Sequence, residues 1–170
     1  MRSVRGRLLV ATPTLSDPNF RRTVVAMLEH AAEGALGVVL DRPTATPVGD
    51  ILPRWGDHAL APGVVFGGGP VQTDGMIGLA RLVVDVDPDH DHDQPPGVQA
   101  LWPGLATVDL EADPESLTGL VSGLRAFVGY AGWGAGQLER EIEEGAWFVV
   151  DVAPGDLWTS RPHELWPVSY

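Results

Sequence analysis

The chain contains no cysteine. That excludes a disulfide, a thiolate nucleophile, and any zinc or iron–sulfur centre held by thiolates. Lysine is absent as well, since all 11 basic residues are arginine. Schiff-base chemistry and a phosphate-loop lysine are therefore excluded. No apolar run approaches the length needed to cross a bilayer; Gly34 to Leu40 and Ala146 to Val150 are among the longest. Arg2, Arg5 and Arg7 precede only Leu8 to Ala11, too short for a secretory core, so the expected compartment is the cytoplasm. Positive charge is scarce too. A formal net charge of −12 opposes binding to phosphate backbones.

What is present fits one globular domain. A chain of 170 residues with 44% hydrophobic and 20% charged residues can bury a core without staples. Five of the 11 arginines lie in the first 22 residues. They read as an exposed solubilising end, with direct DNA contact as the lesser alternative.

Glycine concentrates where the pattern changes. Gly129, Gly132, Gly134 and Gly136 sit between the apolar run Leu124 to Val128 and the acidic, helix-like segment Gln137 to Glu144. Such density implies a backbone that bends sharply or approaches another group closely. A G-x-G-x-x-G fingerprint from Gly132 would need glycine at 137, where Gln137 stands. Two readings remain: a packing corner, or an anion site on free N–H groups. Gly67-Gly68-Gly69-Pro70-Val71 is a second such segment, either a bulged strand end or one wall of a pocket.

Periodicity predicts strands at Leu8–Ala11, Thr23–His30, Leu36–Leu40, Val64–Phe66, Met76–Val86, Thr107–Leu110, Leu124–Tyr130 and Ala146–Val152. The second and third form a hairpin, closed off by Asp41-Arg42-Pro43. Helices are predicted at Val48–Trp55, from Asp113-Pro114-Glu115 to about Ser122, and at Gly136–Glu144 with Gly145 as C-cap. In the last, Leu138 and Ile142 form the buried pair and the acids face solvent. The class is α+β, short helices covering a largely antiparallel sheet.

The acidic run Asp85 to Asp93 resembles the opening of a calcium loop. Each register fails at the glycine of position six and the glutamate of position twelve, so a solvated loop is expected. No cofactor or metal site is predicted. No serine stands in a nucleophile elbow, and His30, closing a strand, reads as a satisfied structural histidine.

Taken in order, several segments resemble the YqgE/AlgH family of small bacterial proteins. They are Gly6 to Pro13, Leu15 to Arg22, His30, Gly34 to Leu40, Arg42-Pro43, Gly68 to Val71, and Gly129 to Glu139 with Trp147. The Gly-Tyr-Ala-Gly-Trp-x-x-Gly-Gln-Leu-Glu wording is the most specific. The resemblance implies a bulged, mostly antiparallel sheet and a cytoplasmic protein. It implies no defined reaction; the family's label of transcriptional regulators comes from one branch that affects exopolysaccharide expression. Asp41 stands where the family usually has asparagine, so a buried Asp41–Arg42 pair is expected in place of an amide corner. Pro167 also interrupts the usual C-terminal helix.

These observations favour a non-enzymatic regulatory or binding protein with an unidentified protein or small-molecule partner. The candidate pocket comprises Asp41, Arg42, Gly68, Gly69, Tyr130, Gly132, Trp133, Gly136, Gln137 and Glu139. The alternative is an enzyme using Asp41, His30 or Glu139 as acid–base groups around Arg42.

Overall fold

Strands dominate the computed structural model, which describes residues 3–13, 15, 20–83, 97–102, 104–117, 119–152, 156–162 and 165–166. The acidic run 85–93, the turn at 17–19 and Pro167 lie outside the described residues. Among the described residues ten strands form one sheet: β1 (Arg7–Ala11), β2 (Val24–Ala31), β3 (Gly34–Val39), β4 (Pro43–Pro47), β5 (Val64–Gly67), β6 (Val71–Leu82), β7 (Val98–Trp102), β8 (Leu105–Val108), β9 (Val121–Gly134) and β10 (Trp147–Asp151). The path runs β10-β1-β2-β3-β9-β6-β8-β7, with β4 on β5 and β5 parallel to β9. Every other pairing between these strands is antiparallel.

β9 is the spine. Its C-terminal part pairs with β3 (Gly34↔Gly134), while its N-terminal part pairs with β6 on one side and β5 on the other. Side chains alternate across a strand, so β1 is buried on both faces. Leu8 and Val10 enter one apolar cluster; Leu9 and Ala11 enter another. The first cluster gathers Leu28 of β2, Phe66 of β5, Leu79 of β6, Leu101 of β7 and Phe127 of β9. Arg5 Nη2 donates to the Leu101 carbonyl at 2.7 Å. Strands near opposite ends of the path thus share one interior, which means the sheet curls around it.

Two short helices close the outer faces. α2 (Gln137–Glu143) drops Leu138 into the cluster of Leu9, Met27 and Trp147. It stops because Gly145 adopts φ 82°. There Gly145 N–H bonds to Ile142 O and Ala146 N–H to Glu141 O, the paired bonds of a Schellman ending. α1 (Val48–Ile51) and the 3-10 turn Pro53–His58 place Val48 and Trp55 over the other outer face.

Several expectations need correction. The helix expected over Val48–Trp55 is a single α-turn, because Pro53 cannot continue the ladder and a 3-10 turn takes over. The helix expected from Asp113 is only the 3-10 turn Pro114–Leu117. Its start is genuine, with Asp113 Oδ1 accepting from Glu115 N at 3.0 Å. Gly119 then turns at φ 90° and β9 claims the chain from Val121. β6 begins at Val71, ahead of the expected Met76, and ends at Leu82. β4 and β7 were not foreseen. Pro43 closes the hairpin as expected but also opens β4, where it faces Phe66.

Candidate functional site

The two glycine-rich segments meet directly. Gly68 N–H donates to Val128 O at 2.8 Å, and Val71 pairs with Tyr130. A methyl group on Gly68 would strike the Gly129 carbonyl, and one on Gly69 the Tyr130 carbonyl. Backbone therefore packs on backbone here, which only glycine permits. Beyond this corner the run from Val71 to Met76 on β6 faces only the step from Tyr130 to Val128 on β9. That bulge carries Gln72 at φ 48°, a left-handed conformation uncommon for a residue with a side chain.

The segment Trp133 to Glu141 forms a lock around one carboxylate. Glu141 Oε1 accepts from the indole N–H of Trp133 and of Trp147, both at 3.0 Å, and Oε2 accepts from Gln137 Nε2 at 3.0 Å. Gln137 Oε1 in turn accepts from Gly134 N–H at 3.0 Å. Phe20 stacks on Trp133 with centroids 6.1 Å apart and meets Trp147 edge-on at 5.8 Å. Bonds from N–H groups to an ionised acceptor are the stronger kind. The acids of α2 do not all face solvent, as the periodicity suggested: Glu141 points into the aromatic cluster and Glu139 points at His30.

His30 is held at both nitrogens. Val4 N–H donates to Nδ1 at 2.9 Å, so the ring proton sits on Nε2, which faces Glu139 Oε1 at 3.1 Å. The imidazole side chain is only 6% exposed. The hydrogen bond from His30 holds the Glu139 carboxyl below its usual range. Asp41 does something different. Its Oδ1 accepts from Val24 N–H at 3.1 Å, and burial pushes its carboxyl up to about 6, against the opposing pull of that bond and of Arg42. Arg42 Nη2 reaches the Arg21 carbonyl at 3.2 Å, while its own carbonyl accepts from Gly67 N–H.

A shallow groove of about 410 Å³ lies beside the glycine corner, lined by Glu29, Glu33, Leu36, Val71, Tyr130 and Gly132, with Trp133 at its edge. A second groove of about 360 Å³ shares Glu29 and Leu36 and continues over Met76 and Ile77 toward Leu101. Gly34 pairs with Gly134, a register that brings the β2–β3 hairpin alongside Tyr130 and Gly132. Of the residues singled out in the sequence, Tyr130, Gly132 and Trp133 line the groove. Gly68 and Gly69 belong to the corner, and Gly136, Gln137 and Glu139 to the start of α2. Asp41 and Arg42 stand at the end of β3. No group of metal-ligating side chains occurs among the described residues.

Comparison with known proteins fixes the lineage. A family profile described as AlgH-like matches residues 8–169. The chain belongs to the AlgH-like family. A UPF0301 protein of Streptomyces coelicolor is 52% identical over 164 residues, covering 96% of this chain and 83% of that protein. A UPF0301 protein of Thermobifida fusca is 44% identical over 173 residues, covering 96% of this chain and 84% of the relative. Among solved structures, protein DIP2367 of Corynebacterium diphtheriae superposes with a TM-score of 0.89 at 31% identity, covering 99% of this chain and 86% of that one. The AlgH protein of Pseudomonas aeruginosa gives 0.71 at 28% identity, covering 99% and 90%. A sheet-dominated AlgH-like architecture with few short helices follows from both the pairing and these neighbours. No helix among its described residues is long and apolar enough to cross a membrane.

In this AlgH-like chain, sequence reasoning missed Glu29, Glu33 and Leu36 as groove residues and Glu141 as the centre of the lock. The hairpin reaches the groove only through the β3–β9 register, which leaves no local mark. Glu141 did leave one: it lies four residues from Gln137, one helical turn along the same face. The basic N-terminus is also largely engaged. Arg5 spans to Leu28 and Leu101, Arg7 pairs with Asp151 at 3.0 Å, and Arg22 lies over Trp166.

Proposed function

We propose that this chain is a non-enzymatic binding protein whose partner occupies the groove between the β2–β3 hairpin and Tyr130–Trp133. The observation that carries this reading is the groove's composition. An apolar floor of Leu36, Val71 and Tyr130 is rimmed by Glu29 and Glu33, in a chain of net charge −12. Apolar contact supplies affinity, and an acidic rim selects a cationic or amphipathic partner over an anionic one. The acid–base reading has less support, because both His30 nitrogens are occupied and Glu139 is bound to one of them. Cytoplasmic residence and a single domain complete the proposal, and a small-molecule occupant is its simplest form. Direct DNA contact is disfavoured by the charge.

Gly132 provides the test. It is exposed, its φ lies outside the left-handed region, and an added Cβ would sit 3.5 Å from the Tyr130 ring, ordinary contact distance. Gly132→Trp should therefore fold while filling the groove. A cationic and amphipathic small-molecule set is screened by backbone amide shifts. The expected hits perturb Leu36, Val71 and Tyr130 and are lost in Gly132→Trp. Hits that map elsewhere, or that bind the variant equally well, would overturn the assignment.

A further inference from the structure

The groove beside the glycine corner is one end of a longer trough. It shares Glu29 and Leu36 with the second groove, and the second shares Gln99, Thr107 and Val108 with a third of about 410 Å³ that ends at Gly97 and Asp109. Each groove alone is of the size that takes one small ligand, about 300–1,000 Å³. An occupant that uses all three is long. Arg5 ties the walls of the middle part together. It donates from Nε to the Leu28 carbonyl on β2 at 3.2 Å and from Nη2 to the Leu101 carbonyl on β7 at 2.7 Å. Walls held before binding spare an occupant the cost of ordering them.

The charged side chains lining the trough are Glu29, Glu33 and Asp109, and none of the lining residues is basic. All three acids are exposed. Glu29 and Glu33 form no ion pair among the described residues, and Asp109 uses one oxygen to accept from Glu111 N–H at 2.9 Å. Backbone is available as well. β8 pairs with β6 only from Gly78 to Arg81, while β9 covers the opposite edge of β6. Among the described residues the stretch from Val71 to Ile77 therefore has no strand on its outer edge, and its two ends line the first and second grooves. An unpaired edge is a template for another extended chain. The bulge between Val71 and Met76 breaks this edge into short pieces, which suits one short segment better than a second sheet.

We propose, resting on the groove reading above, that the partner is an extended segment of another protein, rich in basic and apolar residues, laid along the trough beside the outer edge of β6. Its apolar side chains fill the floor of Leu36, Tyr130 and Ile77. Its arginine or lysine side chains meet Glu29, Glu33 and Asp109, and its backbone bonds to the β6 edge. An acidic segment is repelled by the same carboxylates.

The probe is the peptide Arg-Leu-Arg-Leu-Arg-Leu, blocked at both ends and titrated into the full isotopically labelled chain. Backbone amide shifts should run from Leu36 and Val71 through Ile77 to Gln99 and Thr107. A peptide with glutamate in place of arginine should not bind. Combining Glu29→Gln with Glu33→Gln should weaken the arginine peptide about two- to tenfold. Both positions are exposed, so the double variant should fold, which circular dichroism checks. Methylating alternate backbone nitrogens of the peptide should weaken it about tenfold, because bonds to the strand edge are lost. Equal binding of the glutamate or the methylated peptide, or unchanged affinity in the double variant, overturns the proposal. So do shifts that leave Gln99 and Thr107 unmoved. That last result keeps the groove reading, which falls separately if neither this peptide nor the small-molecule set moves Leu36, Val71 and Tyr130.

Discussion

Replacing Asp41 with asparagine should stabilise the protein at neutral pH and do much less so in acid. Asp41 Oδ1 holds Val24 N–H at the start of β2, and an amide oxygen can accept the same bond. What the amide removes is the charge. Burial pushes the Asp41 carboxyl up from 3.8 to about 6. Between those values the folded chain binds a proton that the unfolded chain has released, so stability falls as pH rises. The contribution from Asp41 is fully present below 3.8 and is lost as pH passes 6. At 1.36 kcal/mol per unit, the ionised form costs about 3 kcal/mol at pH 7.5 and about 1 kcal/mol at pH 4.5.

The difference between two pH values is the sharper quantity, because any fixed cost of the amide cancels. Urea unfolding of both proteins at pH 4.5 and 7.5 should show Asp41→Asn gaining about 2 kcal/mol more at the higher pH. In thermal scans that corresponds to about 4–8 °C for a chain of this size. An equal effect at both pH values would refute the reasoning, and so would a gain that is larger in acid. Either would mean that Asp41 is not strained by its own charge, and that the Arg42 field or solvent already satisfies it.

Two further perturbations test the corner and the lock. Glu141→Ala leaves two buried indole N–H groups without an acceptor, at about 1–3 kcal/mol each, so urea unfolding should show a loss of about 2–5 kcal/mol with altered tryptophan emission. Gly68→Ala drives a methyl into the Gly129 carbonyl and should cost about 3 kcal/mol or prevent soluble expression. Gly132→Ala meets only ordinary contacts and should stay within about 0.5 kcal/mol of the parent in the same assay.

Elements with local signals were legible in advance. The β2–β3 hairpin showed continuous apolar strands around Ala32-Glu33, and α2 showed a glycine entry, a buried Leu138 and a glycine exit. β7 was not legible, because Val98 to Trp102 follows a polar segment and is strand only through pairing with β8. The failed helix at Asp113 shows the same competition from the other side. Its cap is correct, yet a strand that hydrogen-bonds along both edges outweighs one turn of good capping. Asp41 was expected to pair with Arg42; it feels the Arg42 charge and also holds the Val24 backbone, since the N–H at the strand start needs an acceptor. The groove was half legible: the glycine-rich side stood out, and the hairpin side depended on register.

The glycine-rich motif itself performs two tasks because β9 alternates faces. Ala131 and Trp133 point into the cluster with Met27, Leu138 and Trp147, where the Glu141 lock is built. Tyr130 leans on the interior cluster, and Gly132, opposite in phase to Trp133, stays open beside it. One phase needs a tryptophan donor, a helix start and an acid at fixed spacing, so its wording is long and specific. The other phase needs a ring and a gap, which many sequences could supply. Within this motif Trp133, Gly134 and Gln137 serve the lock, while Tyr130 and Gly132 line the groove. The residues that line the groove are few, chemically ordinary, and drawn partly from a hairpin about a hundred residues earlier in the chain. A motif of this kind reports the fold strongly and the ligand weakly, because hydrogen-bond geometry constrains wording more tightly than an open surface does.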